Sequence, residues 1–402
     1  TYIAKIIIMK KIIIIGAGIL GLSIARELSI RGHRRITILE KESNIATHQS
    51  SRNSGVMHSG LYYKPGSLKA RLCRKGINLM KDYCTKQEIP WNECGKIVVA
   101  TKPSQSTELE KLLFRGRKNN LIGLKRINTK EINQIEPYVN AFEGILVPEE
   151  SVVSYAQVAE NFLKECESFG VRIIYNSQIT KYVHEKKEIH LKKNEKINAD
   201  LIISASGLYN DKVSKMLGLN INNQQIIPFR GEYYNLKEEF SFLVNNLIYP
   251  VPNTNLPFLG VHFTKMINGN IEAGPNAVLA LAREGYDWKK INLVELKESL
   301  FYPGLRNFIK KYPMITLGEI SRSLSKKLFV KSLKALIPEI NEKMLDIRKA
   351  GVRAQLMDMN GRLIQDFDIR INKNLVSILN APSPAATSSL AIAKYIANYL
   401  DL

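Results

Sequence analysis

The sequence predicts an α/β protein in which a Rossmann-like domain is interrupted by a second domain built on a mixed β-sheet. Three observations support this. A strand–glycine loop–helix–strand unit opens the chain, strand and helix patterns alternate through its middle, and a strand followed by a helix closes it. With 402 residues, the chain is long enough for two domains that share a sizeable core.

The opening unit has the layout of a dinucleotide-binding site. The apolar strand Ile12 to Ile15 runs into a Gly-x-Gly-x-x-Gly loop formed by Gly16, Gly18 and Gly21, and a helix follows. The first glycine permits a tight turn, the second lets the backbone approach a pyrophosphate, and the third lets the helix lie close to the strand. Unpaired N–H groups at the helix N-terminus face the anion. The loop therefore predicts a bound dinucleotide rather than a glycine loop that only packs a helix.

An acidic residue stands where a dinucleotide site needs one. The second strand, Ile36 to Leu39, is followed by Glu40, about 20 residues beyond the glycines. A carboxylate at this place can accept hydrogen bonds from a ribose 2′-OH. The strand, helix, second strand and acid together are more specific than the glycine loop alone.

The middle of the chain alternates between strand and helix patterns, which is typical of an α/β domain joined to a mixed-sheet domain. Strand-like runs occupy Lys96 to Thr101, Gly144 to Val147, Val171 to Tyr175, Ile226 to Leu236, Leu247 to Val251, Phe258 to Thr264 and Ile271 to Gly274. Helical patterns occupy Leu68 to Cys84, Gln157 to Phe169, Asn292 to Phe301 and Glu319 to Leu336.

The C-terminal segment returns to the character of the first domain. A strand from Leu375 to Leu379 is followed by Ser383, a good N-cap, and by Pro384, which suits the first position of a helix. We expect this helix from Ala385 to Leu400, with an N-terminus that faces an anion.

These patterns predict a discontinuous first domain. We expect it to comprise residues 9–90, 151–225 and 346–402, and the second domain to comprise residues 91–150 and 226–345. Met9 is a candidate start of the chain, and we expect residues 1–8 to be an extension that takes no part in the fold.

The composition argues against several classes of protein. No apolar run reaches the roughly 18 uncharged residues that a membrane-spanning helix needs, and lysines interrupt the N-terminal run, so we expect neither an anchor nor a signal peptide. The net charge of +21 comes from lysines scattered along the chain, without a basic arm or an aromatic-rich patch. A solvated basic surface is the first interpretation and an anionic membrane surface the second, and we expect no nucleic-acid partner.

The four cysteines, Cys73, Cys84, Cys94 and Cys166, show neither C-x-x-C spacing nor a metal-like pairing with histidine. This pattern predicts reduced cysteines that pack as small core residues in a cytoplasmic protein, and no metal site.

A second short motif indicates which dinucleotide binds. The run from Ala199 to Gly207 is a buried strand whose end carries small residues, among them Ala205, so the strand end can approach a bound nucleotide. With the opening glycine loop, it resembles the two-part FAD signature of flavoproteins of the D-amino-acid-oxidase and glutathione-reductase types. The resemblance implies a discontinuous Rossmann-like FAD-binding domain with a mixed β-sheet substrate domain.

Longer motifs narrow the family. They are Gln49 to Ala70, Pro228 to Tyr233, Ile248 to Pro252, Phe258 to Thr264, Gly274 to Ala280, Gly351 to Gln355 and Asn380 to Thr387. Through them the chain closely resembles the L-2-hydroxyglutarate dehydrogenase/oxidase family, within the D-amino-acid-oxidase-like superfamily, from Met9 to its C-terminus. Arg52 departs from the family pattern, since many relatives carry histidine there.

The resemblance implies that FAD contacts residues from every segment of the first domain. These are Gly16, Gly18, Gly21, Glu40, Lys41, Ser50, Asn53, Ser54, Ala205, Gly207, Gly351, Asn380, Pro382 and Ser383. It also implies that the helix start near Ser383 directs its positive end towards the flavin.

Two histidines are candidates for the base that takes a proton from the substrate hydroxyl. His58 lies in a loop flanked by glycine and serine, which is more typical of a functional residue than of a core residue, and the resemblance favours a role near the flavin. His262 alternates with apolar neighbours on a strand, so a place in the core is a competing interpretation. The sequence leaves open which of the two is the base.

Arg230 and Arg353 each interrupt a run of apolar or small residues, so each needs an anionic partner. That partner is either a carboxylate inside the protein or a carboxylate of the substrate, which a guanidinium can bind in bidentate fashion. Tyr233 and Tyr249 either add hydrogen bonds to the substrate or pack as aromatic residues.

The resemblance implies an FAD-dependent oxidoreductase that oxidises L-2-hydroxyglutarate to 2-oxoglutarate, with transfer of the C2 hydride to flavin N5. The alternative is a related flavoenzyme that acts on an amino acid or on glycerol 3-phosphate. We expect oxygen or a membrane quinone as the electron acceptor, and a cytoplasmic protein. A peripheral position on the inner face of the cell membrane is the second interpretation of its location.

Overall fold

The computed structural model describes residues 10–252 and 260–402. Residues 1–8, which we expected to lie apart from the fold, fall outside the described residues, as does the beginning of the strand expected from Phe258. Within the described ranges the protein is built on two large β-sheets, and each gathers strands from distant parts of the chain.

The first sheet has six strands and is mostly parallel. Its spatial order is Asp368–Asn372, Leu375–Asn380, Leu201–Ser204, Ile12–Ile15, Ile36–Leu39 and Arg172–Ile174. The outermost strand, Asp368–Asn372, runs antiparallel to its neighbour, and the other pairs are parallel. All four isoleucines of Ile12–Ile15 are buried because both faces of this sheet are covered.

Helices cover one face of the first sheet. Helix Ile19–Ile30 packs against Tyr155–Ser168 and Ser389–Tyr399, and Leu68–Lys86 packs against Ser389–Tyr399. Serine hydroxyls begin two of these helices. Ser67 Oγ accepts a hydrogen bond from the N–H of Ala70, and Ser154 caps Tyr155–Ser168 in the same way.

A small antiparallel sheet covers the other face. It consists of Ile179–Val183, Glu188–Leu191 and Lys196–Asn198. Its apolar residues pack with Ile13 and Ile15 of the central strand. The first sheet is thus enclosed, and the loops that follow its strands are left to form a site.

The second sheet has nine strands and is mixed. Eight follow the order Val278–Leu279, Gln225–Leu236, Ile271–Gly274, His262–Lys265, Leu247–Pro250, Lys96–Ala100, Glu143–Val147 and Lys125–Asn128. The ninth, Leu345–Met357, runs antiparallel to Gln225–Leu236 along almost its whole length. Leu247–Pro250 and Lys96–Ala100 are parallel neighbours.

Shorter elements complete the described fold. A three-stranded sheet consists of Val56–Met57, Ser151–Val153 and Trp91–Asn92. The remaining α-helices are Ser106–Lys118, Thr129–Ile135, Asn210–Met216, Leu293–Phe301, Pro303–Lys311, Pro313–Leu324 and Lys326–Leu333. Short 3₁₀ helices span Pro103–Gln105, Gly207–Tyr209, Glu238–Leu243 and Glu342–Met344.

The predicted α/β fold is confirmed, but two helices differ from their prediction. The helix expected from Glu319 to Leu336 is two helices that meet at Ser325, whose hydroxyl caps the second one. The C-terminal helix begins at Ser389, because residues 383–388 form turns. Ser383 is therefore not its N-cap, and serine and proline mark a turn here rather than a helix start.

One strand crosses the expected boundary between the domains. Leu345–Met357 belongs to the second sheet, although the sequence assigned residues from 346 onwards to the first domain. The sequence predicted no strand here, and pairing between distant segments depends on the whole fold. In the described residues, no helix is long and apolar enough to cross a membrane.

Candidate active site

The carboxyl ends of three neighbouring parallel strands meet at one edge of the first sheet. These strands lead into Gly16, Glu40 and Ala205, all of which the sequence assigned to the dinucleotide. In open α/β sheets this edge is the usual place for a ligand. The structure therefore brings together residues that are far apart in the chain.

The glycine loop has no room for side chains. Gly16 has φ +103°, and a Cβ on it would lie 2.7 Å from the carbonyl oxygen of Ala205. A Cβ on Gly21 would lie 1.9 Å from the carbonyl oxygen of Gly16, and one on Gly18 would lie 3.1 Å from Ser50 Oγ. The loop is thus a cradle in which bare backbone can meet a pyrophosphate at a helix N-terminus.

Glu40 is buried beneath this loop and supports it. Its Oε2 accepts a hydrogen bond from the N–H of Ala17 at 2.7 Å, and its Oε1 accepts one from the N–H of Glu42 at 2.9 Å. A carboxylate has about four acceptor positions, so lone pairs remain for ribose hydroxyls. The cradle and the carboxylate together fit the adenosine diphosphate half of FAD.

The segment after the second strand closes the cradle. Ser50 Oγ accepts a hydrogen bond at 2.9 Å from the N–H of Ile19, the first residue of the helix. The Asn53 amide donates to the carbonyl of Ser50 at 2.9 Å, and its side-chain oxygen accepts from the N–H of Gly55 at 2.9 Å. Asn53 therefore shapes the loop, and Ser54 beside it is half-buried.

Two further predicted glycines lie close to the same segment. A Cβ on Gly207, which has φ +52°, would lie 3.0 Å from Gln49 Oε1. A Cβ on Gly351 would lie 2.5 Å from the carbonyl oxygen of Arg52. Through Gly351, a strand of the second sheet thus touches the loop that closes the cradle.

Lys41 belongs to a polar cluster. Its ammonium pairs with Glu42 and Glu284 and lies 3.0 Å from His48 Nε2. The carboxylates and the imidazole are close enough together to hold a metal ion, but Lys41 already places a cation among them. Tyr286, whose hydroxyl lies 2.6 Å from His48 Nδ1, ties the cluster to the segment before helix Leu293–Phe301.

The predicted C-terminal cofactor residues have structural partners. Asn380 is buried, and its amide donates to the carbonyls of Ile364 and Asp366 at 2.9 and 2.8 Å. Ser383 shares a side-chain hydrogen bond with Tyr63. Pro382, which lies between Asn380 and Ser383 in the sequence, is half-buried. These contacts hold the C-terminal turn in place, and direct contact with FAD stays a prediction.

His58 is clamped through its backbone. Its N–H donates to Thr387 Oγ1 at 3.2 Å, and its carbonyl accepts a hydrogen bond from Cys73 Sγ at 3.0 Å. Thr387 Oγ1 also lies 2.7 Å from the hydroxyl of the buried Tyr155. The imidazole Nδ1 of His58 faces Glu150 Oε2 at 3.4 Å.

A buried ion pair lies beside this imidazole. Lys96 Nζ is 2.6 Å from Glu150 Oε1, and both residues are 1% exposed. Burial raises the pKa of the Glu150 carboxyl, but the charge of Lys96 and the contact with His58 outweigh it and hold that pKa well below its usual range. Lys96 also lies over the rings of Tyr62 and Tyr249, 4.8 and 5.1 Å from their centroids.

His262 lies near the same buried ion pair. Its Nδ1 donates to the carbonyl of Gly260 at 3.0 Å, which leaves Nε2 as a hydrogen-bond acceptor. The pKa of His262 is lowered to about 3, mainly by burial, and the nearby Arg353, His58 and Lys96 contribute in the same direction. His262 is therefore neutral, and it lies near Arg353, His58 and Lys96.

The two candidate arginines have different partners. Arg353 hydrogen-bonds the hydroxyl of Tyr233, whose pKa burial raises to about 12 even though Arg353 opposes the shift. Arg230 is fully buried, with Nε 3.0 Å from Glu232 Oε1 and Nη1 2.9 Å from the carbonyl of Asp287. Arg230 thus has a carboxylate inside the protein, which is the alternative that the sequence left open.

Sequence reasoning missed Lys96, Glu150 and the role of Thr387. A lysine at the start of the apolar strand Lys96–Ala100 was the available signal, because a buried lysine needs a carboxylate partner. Glu150 could not be matched to it by spacing, since 54 residues separate the two.

Comparison with known proteins agrees with this geometry. Residues 11–399 match the family described as FAD dependent oxidoreductase (DAO). The L-2-hydroxyglutarate dehydrogenase of Indibacter alkaliphilus is 46% identical over 385 residues, which cover 95% of this chain and 96% of that protein. The enzyme of the same name from Escherichia coli K12 is 39% identical over 393 residues, which cover 96% and 92%.

Solved structures support the fold. The L-alpha-glycerophosphate oxidase of Mycoplasma pneumoniae, solved with FAD bound, is similar with a TM-score of 0.75 at 22% identity, over 98% of this chain and 95% of that chain. Glycine oxidase of Geobacillus kaustophilus gives a TM-score of 0.73 at 15% identity, over 98% and 94%. Since the cradle fits FAD and the identity extends along nearly the whole chain, the protein belongs to the L-2-hydroxyglutarate dehydrogenase family of FAD-dependent oxidoreductases.

Proposed function

We propose that this enzyme oxidises L-2-hydroxyglutarate to 2-oxoglutarate. The observation that carries the proposal is that a histidine and an arginine, His58 and Arg353, both lie near the buried His262. Oxidation of a hydroxy acid needs a base for the hydroxyl proton and a cation for the carboxylate. FAD, when bound, accepts the C2 hydride at its N5.

His58 is the base in this proposal. Its Nδ1 faces Glu150, so its Nε2 is the nitrogen left for the substrate hydroxyl. The pKa of His262 is lowered to about 3, which makes its imidazole a weak base. His262 is better suited to accept a hydrogen bond that orients the hydroxyl.

Arg353 is the substrate anchor in this proposal, with Tyr233 beside it as a second donor. A guanidinium binds a carboxylate through two parallel hydrogen bonds, which fixes C2 as well as holding the charge. Arg230 keeps its internal partner Glu232 and also donates to the carbonyl of Asp287, so its role here is structural. The sequence offered Arg230 and Arg353 as two anchors; in this proposal Arg353 is the anchor and Arg230 is a structural residue.

The test is reduction of the bound flavin by candidate substrates. The purified protein should be yellow and release FAD in acid, and its visible flavin absorption should bleach without oxygen when L-2-hydroxyglutarate is added. Lactate, glycine and glycerol 3-phosphate should bleach it far more slowly. Equal rates with lactate would contradict recognition of a dicarboxylate, and bleaching by glycerol 3-phosphate alone would favour the sister activity.

We also propose that the enzyme attaches to an anionic membrane surface through the group of helices between Leu293 and Leu333. Nine of the 16 large apolar side chains exposed among the described residues fall between Ile291 and Leu328. They are Ile291, Leu293, Val294, Leu300, Phe301, Met314, Leu317, Leu324 and Leu328. Leu293 and Met314 are 75% and 77% exposed, and such a concentration is typical of an interaction surface.

The charge of this surface indicates an anionic partner. The exposed lysines of the same region are Lys289, Lys290, Lys297, Lys310, Lys311, Lys327, Lys331 and Lys334. Exposed apolar side chains with lysines in the same region suit the boundary between anionic headgroups and acyl chains. A membrane quinone would then be a suitable electron acceptor, with oxygen as the alternative.

A further inference from the structure

We propose that Glu150 is a positioning residue of the reaction, which orients His58 and stabilises the imidazolium that forms when His58 takes the hydroxyl proton. In this arrangement Lys96 holds the Glu150 carboxylate in place. The inference rests on the proposed role of His58 as the base.

The two oxygens of Glu150 have different surroundings. Oε1 accepts three hydrogen bonds, from Lys96 Nζ at 2.6 Å, from Ser59 Oγ at 2.9 Å and from the N–H of Ser59 at 3.2 Å. Within the described residues, Oε2 has no hydrogen-bond partner and faces His58 Nδ1, which has none either, at 3.4 Å. One oxygen is therefore fixed to the protein, and the other is offered to the imidazole.

This arrangement matches the proton movement that the reaction requires. The hydroxyl proton passes to His58 Nε2, the C2 hydride leaves with its electron pair for FAD, and the C–O bond becomes a carbonyl. His58 then carries a positive charge, with Nδ1–H donating to Glu150 Oε2. A charge-assisted hydrogen bond of this kind is shorter and stronger than a neutral one, so the contact should tighten as the charge develops.

The other titratable groups near Glu150 keep one protonation state around neutral pH. The tyrosines and cysteines whose pKa the charge of Glu150 influences are Tyr62, Tyr63, Cys73, Cys94, Tyr155 and Tyr249. Burial raises the pKa of every one of them, so none titrates near neutral pH. Arg74, on the helix that carries Cys73, pairs with Glu149 at 3.0 Å, and His262 has a pKa of about 3.

The test is the pH dependence of kcat/KM for Glu150→Gln. The amide keeps the size of the side chain and can still bond Ser59, but it removes the negative charge beside His58. We expect kcat to fall about 10- to 100-fold with KM changed less than about threefold. The acidic limb of the pH profile should move to lower pH by about one unit, because the imidazolium loses the charge that favours it.

The neighbouring carboxylate provides the matched control. Glu149 pairs with Arg74 and accepts a hydrogen bond from the N–H of Ile122 at 2.7 Å, away from His58. Glu149→Gln should therefore leave the acidic limb where it is. Glu150→Asp, which keeps the charge, should restore part of kcat and most of the limb.

A double variant separates positioning from folding. If Glu150→Gln folds poorly because Lys96 is left buried and unpaired, Lys96→Met with Glu150→Gln removes both charges and should restore thermal stability. The inference holds if this double variant remains slow with a displaced limb. It is overturned if the double variant, or Glu150→Gln itself, has the wild-type profile. Wild-type enzyme that does not turn over L-2-hydroxyglutarate would contradict the proposed function instead.

Discussion

The imidazole of His262 lies face to face with the phenol ring of Tyr249, with centroids 3.9 Å apart and 21° between the planes. The stack removes one face of the imidazole from water, and His262 is only 7% exposed. Desolvation of this kind disfavours the charged form of histidine. The two candidate histidines therefore differ physically, since His58 faces a carboxylate and His262 faces an aromatic ring.

Replacing His58 by Ala should lower kcat by about 10²- to 10⁴-fold, because the hydroxyl proton then has no positioned acceptor. FAD content and the thermal unfolding midpoint should stay close to wild type. His262→Phe, which keeps an aromatic ring against Tyr249, should cost less in kcat than His58→Ala. Steady-state kinetics of the two variants check this, and the reverse ranking would assign the base to His262.

The folded protein should lose stability in acid partly through His262. Its pKa is about 3 in the folded state, against an ordinary value of 6.5. Between these values the unfolded chain binds a proton that the folded chain does not, so the free energy of unfolding decreases as pH falls, by up to about 1.4 kcal/mol per pH unit. Urea unfolding at several pH values should show a shallower decrease for His262→Phe, and identical slopes would contradict burial of a neutral histidine.

Replacement of Arg353 should affect the kinetics, whereas replacement of Arg230 should affect the stability. Arg353→Met should lower kcat/KM by an amount that corresponds to a loss of about 2–4 kcal/mol of transition-state stabilisation, because it removes a desolvated partner of the substrate carboxylate. The free energy of unfolding should change little. Arg230→Met should instead reduce the free energy of unfolding by about 3–5 kcal/mol, because it removes an internal partner of Glu232. Kinetics and urea unfolding of both variants test the assignment, which fails if Arg353→Met keeps full efficiency.

Glu40→Ala should weaken FAD binding about 10- to 100-fold, since it removes acceptors for the ribose and leaves the N–H of Ala17 without its carboxylate partner. Equilibrium dialysis or flavin fluorescence of the reconstituted protein measures the change. Glu188→Gln, in the small sheet on the other side of the first sheet, is the control and should bind FAD normally. Unchanged affinity in Glu40→Ala would remove Glu40 from the ribose site.

Vesicle binding should require the exposed apolar helices. The protein should float with anionic vesicles at low salt and less so as the Debye length falls below about 8 Å. Leu293→Ser with Met314→Ser should reduce flotation about tenfold or more, whereas Phe114→Ser with Ile122→Ser, which changes exposed apolar residues elsewhere, should not. Equal binding to neutral vesicles, or equal loss in both pairs, would contradict the proposed surface.

Local rules were sufficient for the dinucleotide half of the site. Gly16, Gly21 and Glu40 lie where their spacing predicts, because strand, tight turn and helix are determined within about 30 residues. The same rules misplaced the start of the last helix. Serine and proline at 383 and 384 suit a turn as well as a helix start, and the structure has a turn there, in which Ser383 shares a hydrogen bond with Tyr63.

The substrate half depends on contacts between distant segments, which a single sequence does not reveal. Lys96 and Glu150 are unremarkable separately, and they become a buried pair only when strand Lys96–Ala100 enters the second sheet. Arg230 and Arg353 look equivalent in sequence, and their neighbours in the folded protein decide their roles. Glu232 lies beside one, and Tyr233 beside the other.

The hydrogen bond between the N–H of His58 and Thr387 joins residues 329 positions apart, and this has a consequence for synthesis of the enzyme. While the ribosome is still making the last segment, strand Leu375–Asn380 and helix Ser389–Tyr399 are missing, and strand Leu201–Ser204 has an open edge. A nascent chain in this state exposes apolar surface and an unpaired strand. The position of His58 thus depends on a residue 329 positions later in the chain, so it is set only once the segment around Thr387 has been made and has folded.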